Sequence, residues 1–241
     1  MKYLILRKRP GDRENPFTEM VAAGGGAADY QFPLEVTAAA LEDRDVGDVR
    51  RDPLVEDVIP SIPFTLIQPL AEPANGVTAV GDSQVAWGID AVGAGTCPLT
   101  GDGVTVAVLD TGIDSGHPAF AGWAFDPQDL RDFTTDEQGV AGSVPDVHGH
   151  GTHVAGTIFG REVNGTRIGV APGVTRALMG KVLGGPTGGS TEAVFNAIDW
   201  ALRRRADVIS MSLAMNFYGV VTHLLGEGLP PDIATSRALD A

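Results

Sequence analysis

The sequence predicts a three-layer α/β domain with a parallel sheet, preceded by a small α+β region. Three apolar runs of strand length, Val104 to Leu109, Arg176 to Leu183 and Ala206 to Leu213, alternate with two helical stretches, Gly151 to Phe159 and Thr191 to Arg203. That order is the signature of helices covering both faces of a mostly parallel sheet. The runs are also nearly continuous in apolar character, as strands buried on both faces require.

The elements follow in chain order. Tyr3 to Arg7 carries an apolar core bracketed by basic residues. It is too short for a secretion signal and reads as an edge strand, and the lack of a signal points to the cytoplasm. A Gly/Pro-rich stretch that includes Gly24 to Gly26 reads as loop. Leu34 to Glu42 is helix-prone, Pro53 breaks the segment from Val46 to Val58, and Ile59 to Gln68 reads as extended. Pro69, Pro73 and Gly76 form a linker, so residues 1–75 are expected to stand apart from a main domain over 84–241. Val85 to Val92 reads as a short entry helix and Gly101 to Gly103 as a turn. In the helix from Thr191, the residues Val194, Ile198, Ala201 and Leu202 share one face, and Thr191 and Glu192 suit its N-terminus. Arg203, Arg204 and Arg205 read as the solvated end of that helix. Residues 216–241 read as helical pieces broken between Gly226 and Pro231.

Composition excludes several classes. A net charge of −14 repels phosphate backbones, so nucleic acid is not an expected partner. No apolar run reaches the length of a membrane span, so no membrane is expected either. The single cysteine, Cys97, excludes an internal disulfide framework and lacks an identifiable base to activate it.

The chemistry concentrates in two stretches. Asp110 directly follows an apolar run and precedes Thr111 and Gly112, at the carboxyl end of a strand, where functional groups of parallel sheets collect. A carboxylate there needs a partner, and an imidazole N–H is a suitable one. The stretch from Asp146 to Gly156 holds His148, His150 and His153, edged by glycines. With Asp110 behind it, His150 can act as general base for a hydroxyl nucleophile and then as general acid for the leaving amine. His153 is expected to hydrogen-bond within the core, and His148 to lie in a loop. Each residue alone also has an ordinary reading, Asp110 as a turn cap and His150 as a structural histidine.

Val106-Ala-Val-Leu-Asp-Thr-Gly-Ile-Asp-Ser-Gly-His-Pro118 resembles the aspartate motif of the subtilisin-like serine proteases. His148-Gly-His-Gly-Thr-His-Val-Ala-Gly156 is similar to their histidine motif, with the catalytic histidine at His150. Ile168 to Pro172, Gly180 to Leu183 and Ile209 to Leu213 follow in the family's order, so the resemblance spans roughly residues 84 to 215.

The resemblance implies an Asp-His-Ser triad in which Asp110 orients His150, and hence a serine-type endopeptidase. It implies that Ser212 and Leu213 line the substrate cleft, and that Gly185 to Ser190, with Gly188 and Gly189, pairs with a peptide or protein substrate bound as an added strand. Two glycines usually follow Leu213; Ala214 and Met215 stand here and narrow that wall. Residues 34–72 resemble an inhibitory pro-segment, so the chain's own N-terminal segment is a candidate inhibitor. The family's serine motif, Gly-Thr-Ser-Met-Ala-x-Pro, and its oxyanion asparagine do not occur in the sequence, and neither Ser236 nor Asn216 fits those roles. The expectation is a peptidase domain truncated before its serine, incomplete at the C-terminus and inactive alone, with Val208 to Leu213 exposed as an edge. Two other readings stay open. One is a non-catalytic peptide-binding relative. The other is a metal hydrolase built on His148, His150 and His153. No cofactor, metal or calcium site is expected: Glu162 is the lone carboxylate between Gly160 and Arg167, and Ala119 replaces an expected acid.

Overall fold

The computed structural model describes residues 2–8, 34–67, 84–184 and 188–239. The glycine stretch around Gly25 and the linker prolines lie outside them. Lys2–Lys8 forms β1, Leu34–Ala40 β2, Asp43–Val49 helix α1 and Val55–Pro60 β3. The strands make an antiparallel sheet in the order β2-β1-β3. β1 is therefore the central strand and not an edge. Its Tyr3 and Ile5 pack with Val58 of β3 against Val46 and Val49 of α1, while Leu4, on the opposite face, is fully buried. β2 corrects the helical expectation for Leu34 to Glu42. All seven of its residues pair with β1, and that ladder outweighs the helix preference of the alanine run.

The chain then crosses to the main domain through β4 (Phe64–Leu66). There the elements are α2 (Trp87–Ala91), β5 (Thr105–Asp110), β6 (Leu130–Asp132), β7 (Val140–Ala141), α3 (His150–Phe159), β8 (Arg176–Lys181), α4 (Thr191–Arg203), β9 (Val208–Met211), β10 (Leu213–Met215), α5 (Phe217–Gly226) and α6 (Pro231–Leu239). The main sheet runs β7-β6-β8-β5-β9, with β6, β8, β5 and β9 parallel. All six residues of β5 are buried, and they alternate between two cores. Val106 and Val108 face α3 through Ala155 and Phe159. Ala107 and Leu109 face α4 through Ala193, Val194, Ala197 and Ala201. The three layers follow from that alternation. Leu109 and Leu178 are 0 % exposed, so truncating either to alanine is expected to cost about 2–5 kcal/mol.

Ala206 to Leu213 is not one core strand. It splits at Ser212 into β9 and β10, and β9 is the half-exposed edge of the sheet, with Val208 51 % and Met211 46 % exposed. The arginine triplet is not all solvated either. Arg204 and Arg176 both donate to Asp129, which is 5 % exposed, tying the end of α4 to the start of β8. Burial raises the Asp129 carboxyl, but the hydrogen bonds from Arg176 and Arg204 outweigh it and hold the group below the usual range. No helix among the described residues is long and apolar enough to cross a membrane.

The start of α4 carries the contact between the two parts. Ser190 is its N-cap, accepting from the Ala193 N–H at 3.1 Å. Thr191 and Glu192 instead reach the N-terminal region. The Ile62 N–H donates to Thr191 Oγ1 at 2.9 Å, and that hydroxyl donates to the Ile62 carbonyl. Glu192, 4 % exposed, meets Lys2 Nζ at 2.8 Å and the Ser61 hydroxyl at 3.2 Å. Ile62 itself packs on Val220 and Leu224 of α5 and Ala234 and Ala238 of α6. Thr191→Val strands both backbone groups of Ile62 and should lower stability by about 1–3 kcal/mol in urea unfolding, while Thr191→Ser keeps it.

Candidate active site

β5 ends on Asp110, which is 1 % exposed. Its carbonyl accepts from the N–H groups of Val182 and Leu183, just beyond β8, so the backbone under the carboxylate is fixed. Oδ1 accepts from the Thr111 N–H at 2.7 Å and lies 2.7 Å from His150 Nδ1. Oδ2 is buried with no hydrogen-bond partner among the described residues. The imidazole is thus the strong side-chain partner of this carboxylate. A buried acceptor on Nδ1 favours the tautomer with its proton there and leaves Nε2 free to exchange protons. The His150 side chain is 20 % exposed.

α3 starts at His150 in an unusual way. Its N-cap is Gly149, at φ 92°, a left-handed conformation that glycine adopts without strain and that offers no side-chain acceptor. The orphan N–H groups of the first turn are satisfied from elsewhere. Gly151 N–H donates to Thr111 Oγ1 at 2.9 Å, and Thr152 N–H donates to Asp146 Oδ2 at 2.9 Å. The aspartate loop therefore caps the histidine helix. The two segments touch backbone to backbone: a Cβ on Gly151 would lie 2.3 Å from the Gly112 carbonyl oxygen.

Burial raises the Asp146 carboxyl, but hydrogen bonds from the Thr152 side chain and backbone, from Gly149 and from Thr111 outweigh it and bring it down to about 2. His148 and His153 are both exposed, so His153 does not bond within the core as the sequence suggests. Asn216 caps α5, accepting from the Gly219 N–H at 2.9 Å, and Ser236 is exposed on α6.

The other site residues meet around β4. In parallel register with β5, Leu109 faces Met211, so Ser212 lies next beyond β9, level with Asp110. Leu213, Ala214 and Met215 pair antiparallel with Leu66, Thr65 and Phe64. On the other side, Phe64 N–H donates to the Gly189 carbonyl at 2.8 Å and Gly189 N–H to the Phe64 carbonyl at 2.9 Å. A Cβ on Gly188 would fall 1.9 Å from the Phe64 carbonyl oxygen, so the close approach requires glycine. Residues 185–187 of the predicted pairing stretch lie outside the described residues. Phe64 and Leu66 pack against the core on the α4 side of the sheet, where Leu183, Ala193 and Val194 lie. The arrangement holds an extended segment as an added strand between two walls.

A profile of the Subtilase family matches residues 101–228, more than half of the chain. The chain belongs to the subtilase family. It is 44 % identical over 116 residues to the major intracellular serine protease of Bacillus subtilis (strain 168), a match covering 48 % of this chain and 35 % of that one. To subtilisin E of the same organism it is 31 % identical over 200 residues, covering 81 % of this chain and 46 % of the other. Fervidolysin from Fervidobacterium pennivorans, a keratinolytic enzyme related to subtilisin, shares the fold with a TM-score of 0.54 and 20 % identity, covering 99 % of this chain and 37 % of that one. This subtilase chain thus spans less than half the length of each of these proteins.

Asp110 and His150 stand out in the sequence, whereas Thr111 reads there only as part of the turn after Asp110 and Asp146 carries no role. The available signal was an aspartate placed a few residues before a helix whose own N-cap is glycine, since such a helix needs a borrowed acceptor. The acid limb of stability checks it. The Asp146 value lies below its ordinary 3.8 in the folded chain, so its stabilisation is complete above about pH 4 and is lost as pH falls through about 2. Asp146→Asn should be less stable at neutral pH and should lose less stability between about pH 4 and 2 in stepped-pH urea unfolding.

Proposed function

We propose that this chain supplies the aspartate, the histidine and two walls of the substrate cleft of a serine endopeptidase, and that the nucleophile lies outside these 241 residues. The observation that carries the reading is the 2.7 Å contact between His150 Nδ1 and a carboxylate that is 1 % exposed. In that reaction His150 Nε2 takes the proton of a serine hydroxyl as the oxygen attacks the peptide carbonyl. It then returns the proton to the leaving amine. Asp110 keeps the ring in the correct tautomer and stabilises the imidazolium formed between the two steps. The substrate is a peptide or protein lying as a strand where Phe64 to Leu66 lie now. The N-terminal segment then acts as an occluding inhibitor, and residues 1–75 are a pro-segment with linker ahead of a peptidase domain over 84–241. The likeness to an intracellular serine protease supports a cytoplasmic location, testable by cell fractionation.

The test is completion of the chain. The 241 residues alone should not hydrolyse peptides or react with a fluorophosphonate. Continued with the serine-bearing half of the Bacillus subtilis intracellular protease, they should do both. In the completed enzyme Asp110→Asn should lower kcat by about 10⁴ and His150→Ala by about 10⁶, a scale taken from serine-protease triads, subtilisin's among them. A synthetic peptide of residues 61–67 should inhibit it competitively. A completed protein that binds this peptide but neither labels nor cleaves would establish the second reading, a peptide binder, which the occupied cleft favours.

A further inference from the structure

We infer that Asp146 is a positioning residue for His150, holding the imidazole against Asp110 by locking the first turn of α3 to the aspartate loop. Its relevance to rate rests on the proposed function, but the geometry stands without it. The Asp146 carboxylate accepts five hydrogen bonds. Oδ1 takes Thr111 Oγ1 at 2.9 Å, the His148 N–H at 3.0 Å and the Gly149 N–H at 2.8 Å. Oδ2 takes the Thr152 N–H at 2.9 Å and the Thr152 hydroxyl at 2.6 Å. These donors flank His150 on both sides in sequence, and one belongs to the residue next to Asp110. Of the standard side chains, only ionised Asp or Glu accepts on both oxygens; an amide turns one of them into a donor.

The rest of the loop is anchored from behind. The Ile113 N–H donates to the Val144 carbonyl at 2.8 Å, and Lys181 Nζ, 7 % exposed as a residue, donates to the Pro145 carbonyl at 2.7 Å. With Val144 and Pro145 held by β8 and the aspartate loop, Asp146 carries this fixed frame to the helix, beside the Asp114 N–H that donates to Thr152 Oγ1 at 2.9 Å. Thr111 completes it, since its hydroxyl donates to Asp146 and accepts from Gly151. The His150 ring meets Asp110 through Nδ1, and the direction of its Cα–Cβ bond is set by a turn whose start depends on Asp146.

The test reads the ring and needs no substrate. In the full 241-residue chain labelled with ¹⁵N-histidine, the His150 ring shifts should report a single Nδ1–H tautomer. Asp146→Ala should give a mixture of tautomers and speed exchange of the Nδ1 proton by a factor of about ten or more, the weight of one or two lost hydrogen bonds. Asp207→Ala, which frees the Thr105 N–H at the far end of β5, serves as a control for lost stability and should leave the ring signals unchanged. Thr152→Val should move them part of the way and Thr152→Ser restore them, which decides the matter if Asp146→Ala does not fold. Wild-type ring signals in both Asp146→Ala and Thr152→Val would overturn the inference. A mixed tautomer in the unmodified chain would instead overturn the Asp110–His150 pairing on which the proposed function rests.

Discussion

A helix that begins at the end of a parallel sheet must find acceptors for its first N–H groups, and that requirement organises this molecule. α3 opens on a glycine with no side chain to offer. Its acceptors come from Thr111 and Asp146, one beside Asp110 and the other four residues ahead of His150. Starting the helix one residue earlier or later would strand those donors in a buried place. The spacing between carboxylate and imidazole is therefore set by backbone satisfaction, and the side chains inherit it. Gly151 packs against the Gly112 carbonyl with no room for a methyl group, so the same constraint also closes the distance between the two segments.

The seat of β4 obeys a second backbone rule. Gly189 and the residues of β10 turn N–H and C=O groups toward one extended segment, and Phe64 to Leu66 pair with them on both sides. Such a ladder is indifferent to sequence along the backbone and selective only through the alternate side chains, here Phe64 and Leu66 against the core. A segment joined by its own chain meets no translational cost of association. Its hydrogen bonds on both sides therefore hold β4 in place without the cost that a free peptide would meet.

Legibility in the sequence tracked the distance over which each residue finds its partner. β5, α3 and α4 were readable because their periodicities are local and their environment is uniform. β1 looked like an edge because its two neighbours come from residues 34–40 and 55–60, and no local pattern announces pairing on both sides. The alanines of β2 favour a helix until the ladder with β1 is counted. Thr191 and Glu192 are residue types that suit a helix start, yet their partners Ile62 and Ser61 lie 129 and 131 positions away. Asp110 and His150 stood out because a polar residue at the end of an apolar run, and a histidine between glycines, are locally odd. Asp146 was harder to read because three of its five donors are backbone N–H groups, and only its place ahead of a helix with a glycine N-cap marks it.

Glu192 gives the contact between the two parts a particular character. It is nearly buried, and the cation beside it belongs to Lys2 of the N-terminal sheet. It also stands in the first turn of α4, where the aligned peptide dipoles favour a negative charge. If the N-terminal sheet departed, the carboxylate would exchange Lys2 and Ser61 for water and keep the helix's field, and Lys2, already half exposed, would be solvated just as readily. Neither group is stranded by separation. The pair thus acts as a key and not as a weld: it favours one alignment of the N-terminal sheet, since another would bury Glu192 unpaired, yet adds little hold beyond the surrounding apolar and backbone contacts.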